Sequence, residues 1–402
     1  MNMENFSKIP GGAQTASKQE NRYPSNYPKQ ILKGDGCYVL ADDGKRYLDF
    51  VCSLGPILLG HRYPRVTDAV VKAITEEGTI FSLSHPKEGQ LAEMLYEMIP
   101  SCDMVRYATN GKDVTEAAVR LSRFMTGKST ILSFSYHGAV DTFMACTEAN
   151  AGVPEMLKYM ISDFDYNDFN EVDKLFMYRD VGTVIMEPHT IRDQTDRDGE
   201  GFLDYMRWIC DKYGALLIFD EIVTFGRYPG FSAQAYYNIY PDLTCISKGM
   251  ANGFPISALV GKEKYMKHLK DKEVFFSTTF GGNLVGLSAA IATIEELVEK
   301  RVDEHLQAIG ERFRNRIKKN PYFTPIGVPW RQFFEYKDNH TRDIFLQELI
   351  KEGVFMGVPI FFNYSMKNKD IDFATDAINK VIDRMPQCKL EGTGASEVFK
   401  KK

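Results

Sequence analysis

The sequence predicts an α/β protein built on a mostly parallel sheet, and three observations carry that prediction. Short, mostly apolar runs at 131–134, 184–186, 216–219 and 243–247 have the length of strands buried on both faces. An amphipathic stretch at 201–213 lies between the second and third of them, the strand–helix–strand order of a right-handed crossover unit. Several runs end on a functional side chain: Glu187, Asp220 and Lys248. An open parallel sheet assembles a site at its carboxyl edge in just this way.

Composition narrows the class. At 402 residues, with 44% hydrophobic and 26% charged residues, the chain suits a two-lobed globular protein. A net charge of −5 without a Lys/Arg cluster gives no nucleic-acid footprint. No run approaches the ~20 apolar residues of a membrane span, and residues 1–12 lack a signal core, so no membrane association is expected. The seven cysteines (37, 52, 102, 146, 210, 245 and 388) have no metal spacing, which predicts free thiols and a cytoplasmic location.

Each element follows in order. Residues 1–30, rich in Gly, Pro, Ser and Asn, read as an irregular arm. Between 36 and 50, alternating residues flank Asp42-Asp43-Gly44, a hairpin signal. Residues 64–78 and 86–99 have apolar residues at helical spacing. The stretch 104-MVRYATNGKDVTEAAVRL-121 predicts strand, turn and helix, with Val114, Ala117, Ala118, Leu121 and Phe124 on one face. Backbone amides where that helix starts form a natural phosphate site, and Gly111 lets an anion approach. Ser135-Tyr136-His137-Gly138 follows the next strand. A long helical pattern runs from 284 to about 318 into a carboxy-terminal lobe, and a frayed polar tail begins at 391.

The richest stretch is 216–255. Lys248 at a strand end can form a Schiff base with a carbonyl, and Asp220 can hold a pyridinium nitrogen protonated. The block LLIFDE, Thr224, Arg227, AQAYY, PDLT and Lys248 resembles the class III aminotransferases, most closely glutamate-1-semialdehyde 2,1-aminomutase and its relatives. The resemblance extends from residue 9 to about 283. It implies the fold type I architecture of these pyridoxal-phosphate enzymes: a mostly parallel seven-stranded sheet between helices, plus a smaller lobe from both termini. The expected division is 1–65 for the arm and part of the small lobe, 66–288 for the large cofactor domain, and 289–402 for the rest of the small lobe.

The resemblance also implies roles. Catalysis falls to Lys248 and Asp220. Pyridoxal 5'-phosphate, with pyridoxamine 5'-phosphate as its alternate form, would be held by Asn110, Gly111, Lys112, Tyr136, His137, Glu187, Asp220, Lys248 and Thr279. Thr279, before Phe-Gly-Gly-Asn, matches a threonine that reaches the neighbouring subunit's phosphate, so a homodimer with shared sites is implied. Substrate contacts would come from Lys18, Ser53 and Leu54. Lys18 stands where the aminomutases carry a carboxylate-binding arginine, and it reads equally as a solvated lysine. Leu54 replaces a tryptophan, Lys112 replaces a hydroxyl residue, and 148-EANAGVPE-155 lacks most of a glycine-rich gating loop. The acidic gate has no match in 357–372. A missing lid favours simple transfer between an amino donor and a keto or aldehyde acceptor, with a sugar or an anionic, phosphorylated compound as the acceptor class. The alternatives are an intramolecular aminomutase and, remotely, a non-catalytic binding module.

Overall fold

Strands buried at every position need both faces covered, and the middle of the central sheet is built from such strands. The computed structural model describes residues 3–188 and 198–396. A hairpin sheet comes first, with β1 (Ile31–Asp35), β2 (Tyr38–Ala41) and β3 (Arg46–Asp49). The central sheet follows: β4 (Met104–Ala108), β5 (Thr130–Phe134), β6 (Ile161–Asp163), β7 (Val181–Met186), β8 (Leu216–Asp220), β9 (Leu243–Ile246) and β10 (Ser257–Gly261). Their spatial order is β4-β10-β9-β8-β7-β5-β6, and β10 alone runs antiparallel to its neighbours. Every residue of β7, β8, β9 and β10 is buried, each large apolar side chain contributing about 1.5–3 kcal/mol.

The helix Gly111–Thr126 covers this sheet. Asn110 and Asp113 cap its start reciprocally, and Gly127 ends it at φ 69°. Val114, Ala117, Ala118 and Leu121 are buried as expected, but Phe124 is not: it is 49% exposed and tilts against His268. The helix end still packs on the sheet, Ser122 Oγ donating to Gly182 O of β7 at 3.1 Å, so Phe124 lies off the face that meets the sheet. The long pattern from 284 is also corrected. It forms two helices, Leu284–Glu299 and Val302–Arg316, broken at Arg301 with φ 47°. Each buries a face, so apolar spacing continues across a break that backbone geometry creates.

The smaller lobe takes chain from both ends. β11 (Phe323–Val328), β12 (Arg331–Tyr336) and β14 (Ile360–Phe361) form one sheet, and β13 (Val354–Phe355) joins the first sheet parallel to β3. Residues 391–396 are not frayed, in contrast to the expectation. Ser25 N–H donates to Thr393 O at 3.0 Å, Ser396 N–H to Asn21 O at 2.7 Å, and Glu391 N–H to Gln347 at 2.6 Å. The tail and the arm are each polar, and each satisfies the other's backbone. All seven cysteines are free thiols. Among the described residues no helix is long and apolar enough to cross a membrane.

Candidate active site

The side chains of interest follow the carboxyl ends of strands pointing the same way. Asn110 follows β4, Tyr136 and His137 follow β5, Glu187 follows β7, Asp220 closes β8 and Lys248 follows β9. Parallel pairing in register brings these ends to one edge, which is why residues far apart in sequence meet.

Lys248 starts a short 3-10 turn at φ 45°, a left-handed conformation that costs a side-chain-bearing residue about 1–2 kcal/mol. Burial lowers its pKa below the ordinary lysine value. The carboxylates of Glu187 and Asp220 oppose that shift, while Arg331 and Arg227 reinforce it. Asp220 is buried; His137 Nδ1–H donates to its Oδ2 at 2.7 Å, and Ile222 N–H donates to its Oδ1 at 3.1 Å. A carboxylate can only accept, so the imidazole proton sits on Nδ1. The buried Nε2 has no hydrogen-bond partner among the described residues. His137 is itself fixed, its carbonyl accepting from Thr115 Oγ1 at 2.8 Å and its ring meeting Phe143 edge-on.

Glu187 is held from two sides. Ser135, at φ 81°, donates through Oγ to Oε1 at 2.9 Å, and Arg331 Nη2 donates to Oε2 at 2.9 Å. Burial alone would raise the Glu187 pKa, but the Arg331 charge and these hydrogen bonds hold it below the ordinary glutamate value. Arg331 belongs to β12 of the small lobe and is nearly buried, so this ion pair joins the two lobes beside Lys248.

The helix start at Gly111 forms a cradle. A Cβ there would lie 2.6 Å from Ile222 Cδ1, so the first turn sits close to the strand end carrying Asp220, and a larger residue would push the Ile222 side chain aside. Asp113 N–H is taken by Asn110 O at 3.1 Å, and the N–H groups of Gly111 and Lys112, the first two of the helix, have no acceptor within it, as an anion site requires. Lys112 is exposed, its Cβ packing on Gly138, and Tyr136 is half exposed beside the buried His137. An amine, a buried acceptor carboxylate, an aromatic face and a glycine cradle are the donor set that pyridoxal phosphate needs.

Not every expected residue joins this centre. Lys18 is exposed on the arm. Thr279 is exposed in a cleft of about 230 Å³ with Phe81, Leu83, His85 and Gly282. Ser53 and Leu54 sit on a left-handed turn, Cys52 to Leu54 at φ 47°, 55° and 66°. His61 is structural, its Nε2 2.9 Å from Asp49 Oδ2. Sequence reading missed Arg331 and Ser135. A lone arginine between Trp330 and Phe333-Phe334 in a strand-like pattern was the available signal for the first.

Residues 20–382 match the family described as Aminotransferase class-III. The chain is 34% identical over 390 residues to a 3-aminobutyryl-CoA aminotransferase of Cloacimonas acidaminovorans (strain Evry), covering 92% of this chain and 93% of that protein. It is 30% identical over 416 residues to a glutamate-1-semialdehyde 2,1-aminomutase of Syntrophobacter fumaroxidans, covering 94% and 95%. Among solved structures, the pyridoxal-phosphate form of the FumI protein of Sphingopyxis sp. MTA144 superposes with a TM-score of 0.88 at 25% identity, covering 96% and 95%. A β-phenylalanine aminotransferase of Variovorax paradoxus has the same fold, with a TM-score of 0.85 at 23% identity and coverage of 97% and 95%. Similarity over nearly the whole length, on a sheet whose edge carries this donor set, makes the chain a pyridoxal-phosphate-dependent member of the class III aminotransferases.

Proposed function

We propose that the enzyme runs two separable half-reactions through Lys248, taking an amino group from a donor and giving it to a keto or aldehyde acceptor. The observation that carries this reading is the buried Lys248 amine at the strand edge that also carries the Glu187 and Asp220 carboxylates, both of which act on its charge. Pyridoxal phosphate, when bound, supplies an aldehyde that captures the donor amine and a ring that accepts electrons. Lys248 would hold it and then move the α-proton as a general base, a task for which a lowered lysine pKa is suited. Asp220, oriented by His137, would keep a proton on the ring nitrogen. Tyr136 would cover the ring face, Glu187 would brace the surroundings, and the Asn110-Gly111-Lys112 amides would take the phosphate.

The exposed apolar side chains Phe81, Leu83, Phe275 and Phe280 near Thr279 support a homodimer, with Thr279 serving the partner's phosphate. The exposed Lys112 and Lys18 support an anionic acceptor. The seven free thiols support a cytoplasmic setting.

A second reading is an aminomutase that shifts an amine within one molecule, favoured by the 30% identity to such an enzyme over 94% of the chain. A non-catalytic binding module is a third, and the intact Lys248 and Asp220 count against it. The test is the absorption spectrum of the purified holoenzyme as amino donors are added singly, L-glutamate first. Transfer requires the cofactor band to convert with release of 2-oxoglutarate or the matching keto acid. Isomerisation of an amino-aldehyde with no keto acid released would establish the aminomutase instead. Lys248→Ala should lose both the lysine-bound cofactor band and turnover, by about 10³-fold or more. Full activity in that variant would remove Lys248 from the mechanism.

A further inference from the structure

The segment from Cys52 to Gly60 lies against the turn that carries Lys248. Asn252 fastens its far end, accepting from Leu58 N–H at 2.9 Å and Leu59 N–H at 2.8 Å and donating to Gly60 O at 2.9 Å. The contact is close: a Cβ on Gly249 would lie 3.1 Å from Leu58 Cδ2, and one on Gly253 2.9 Å from Ile57 Cδ1.

The near end is the left-handed turn Cys52–Leu54, with Gly55 following at φ 105°. Three consecutive side-chain-bearing residues in this conformation do not hold it by themselves. Asp49 Oδ1 grips its start, accepting from Val51 N–H at 2.8 Å and Cys52 N–H at 3.0 Å. At its exit stands Arg227. Its Nη2 donates to Gly55 O, its Nη1 donates to Phe362 O at 2.9 Å, and its guanidinium lies over the Phe361 ring, 4.9 Å from the centroid. The side chain is fully buried, and the acceptors it uses are carbonyls, not a carboxylate. Burying a charge in this way is costly, so stability alone is a poor reason for an arginine here. A planar fork that reaches two chain segments at once is what only arginine offers.

We infer that Arg227 is a positioning residue: it clamps the Cys52–Leu54 turn at the mouth of the lysine site, so that exposed Ser53 and half-buried Leu54 present a fixed surface to the substrate. What that surface recognises rests on the aminotransferase reading. The clamp itself does not.

The experiment compares the holoenzyme with Arg227→Met and Arg227→Lys by hydrogen exchange and by half-reaction kinetics with the best donor from the spectral scan. In Arg227→Met, amides of Leu54, Gly55 and Ile57 should exchange about tenfold faster while those at 243–253 stay unchanged. The donor concentration giving half the limiting rate should rise about tenfold, a larger change than that in the limiting rate, which also feels the loss of the Arg227 charge near Lys248. Arg227→Lys should recover part of both effects, since an ammonium can serve one carbonyl. Unchanged exchange at 52–60, or a fall in limiting rate without a change in half-saturation, overturns the proposal. If Arg227→Met does not fold, Gly55→Ala disturbs the same turn with the arginine in place, because its Cβ would lie 3.2 Å from Phe361 Cε1 at a positive φ. That variant must show the same split, and an unchanged half-saturation overturns the clamp. If no donor converts the wild type, the aminotransferase reading fails while the exchange result still judges the clamp.

Discussion

Glu187 and Arg331 meet across the lobes with their side chains only 13% and 8% exposed, so neither charge can fall back on water. Removing one partner leaves the other buried and uncompensated, which typically costs about 3 kcal/mol or more. Glu187→Gln should therefore lower the unfolding free energy by about 3 kcal/mol in urea titrations at neutral pH. The pH dependence has a definite sign. The folded Glu187 pKa lies below the ordinary 4.5, so the unfolded chain holds its proton more tightly. The contribution is complete above about pH 4.5 and is lost as the pH falls through the folded value. Urea titrations repeated between pH 7 and pH 3 should show the wild type losing its advantage over Glu187→Gln only in that acidic window. An advantage that stays constant to pH 3 would mean the carboxylate is not held by the arginine.

At the scale of elements, the loop after β5 and the start of the helix Gly111–Thr126 depend on one close approach. Gly138 has φ 115°, and a Cβ there would lie 2.6 Å from Lys112 Cβ and 3.1 Å from Lys112 Cα. Backbone cannot move aside as a flexible side-chain end can. Gly138→Ala should cost about 1–3 kcal/mol and push Lys112 away from the cradle. Cofactor affinity, measured by reconstitution of the apoenzyme, should fall about tenfold or more if that turn holds the phosphate. Affinity equal to wild type would put the phosphate elsewhere.

For the whole molecule, the cleft around Thr279 is the least finished surface. Leu83 is 85% exposed, Phe275 and Phe280 are each 59% exposed, and Phe81 is 53% exposed. A monomer gains nothing from this apolar edge, whereas a second copy would bury it. If the proposed dimer forms through this edge, Leu83→Glu should give monomers in light scattering and lower activity at the same time, because the proposed role of Thr279 requires a partner. A monomeric variant with full activity would separate the surface from catalysis.

Much of this was legible from the chain alone. Short, mostly apolar runs at 184–186, 216–219 and 243–247 mark doubly covered strands, because none carries a charged residue to offer water. Their terminal residues Glu187, Asp220 and Lys248 point to one edge by the same logic, since parallel strands end together. Local signals also located Gly111 and the pair Tyr136-His137. Other features were decided only by the packed fold. Arg331 reaches Glu187 from a strand 144 positions away, and no local pattern encodes a pairing at that separation. The break at Arg301 is invisible because apolar spacing runs through it, and Phe124 is exposed although its spacing matches the buried face. The Cys52–Leu54 turn is held by Asp49 and Arg227 against its own backbone preference. Periodicity records which face of an element must be buried; which distant side chain meets it is settled by close packing in three dimensions.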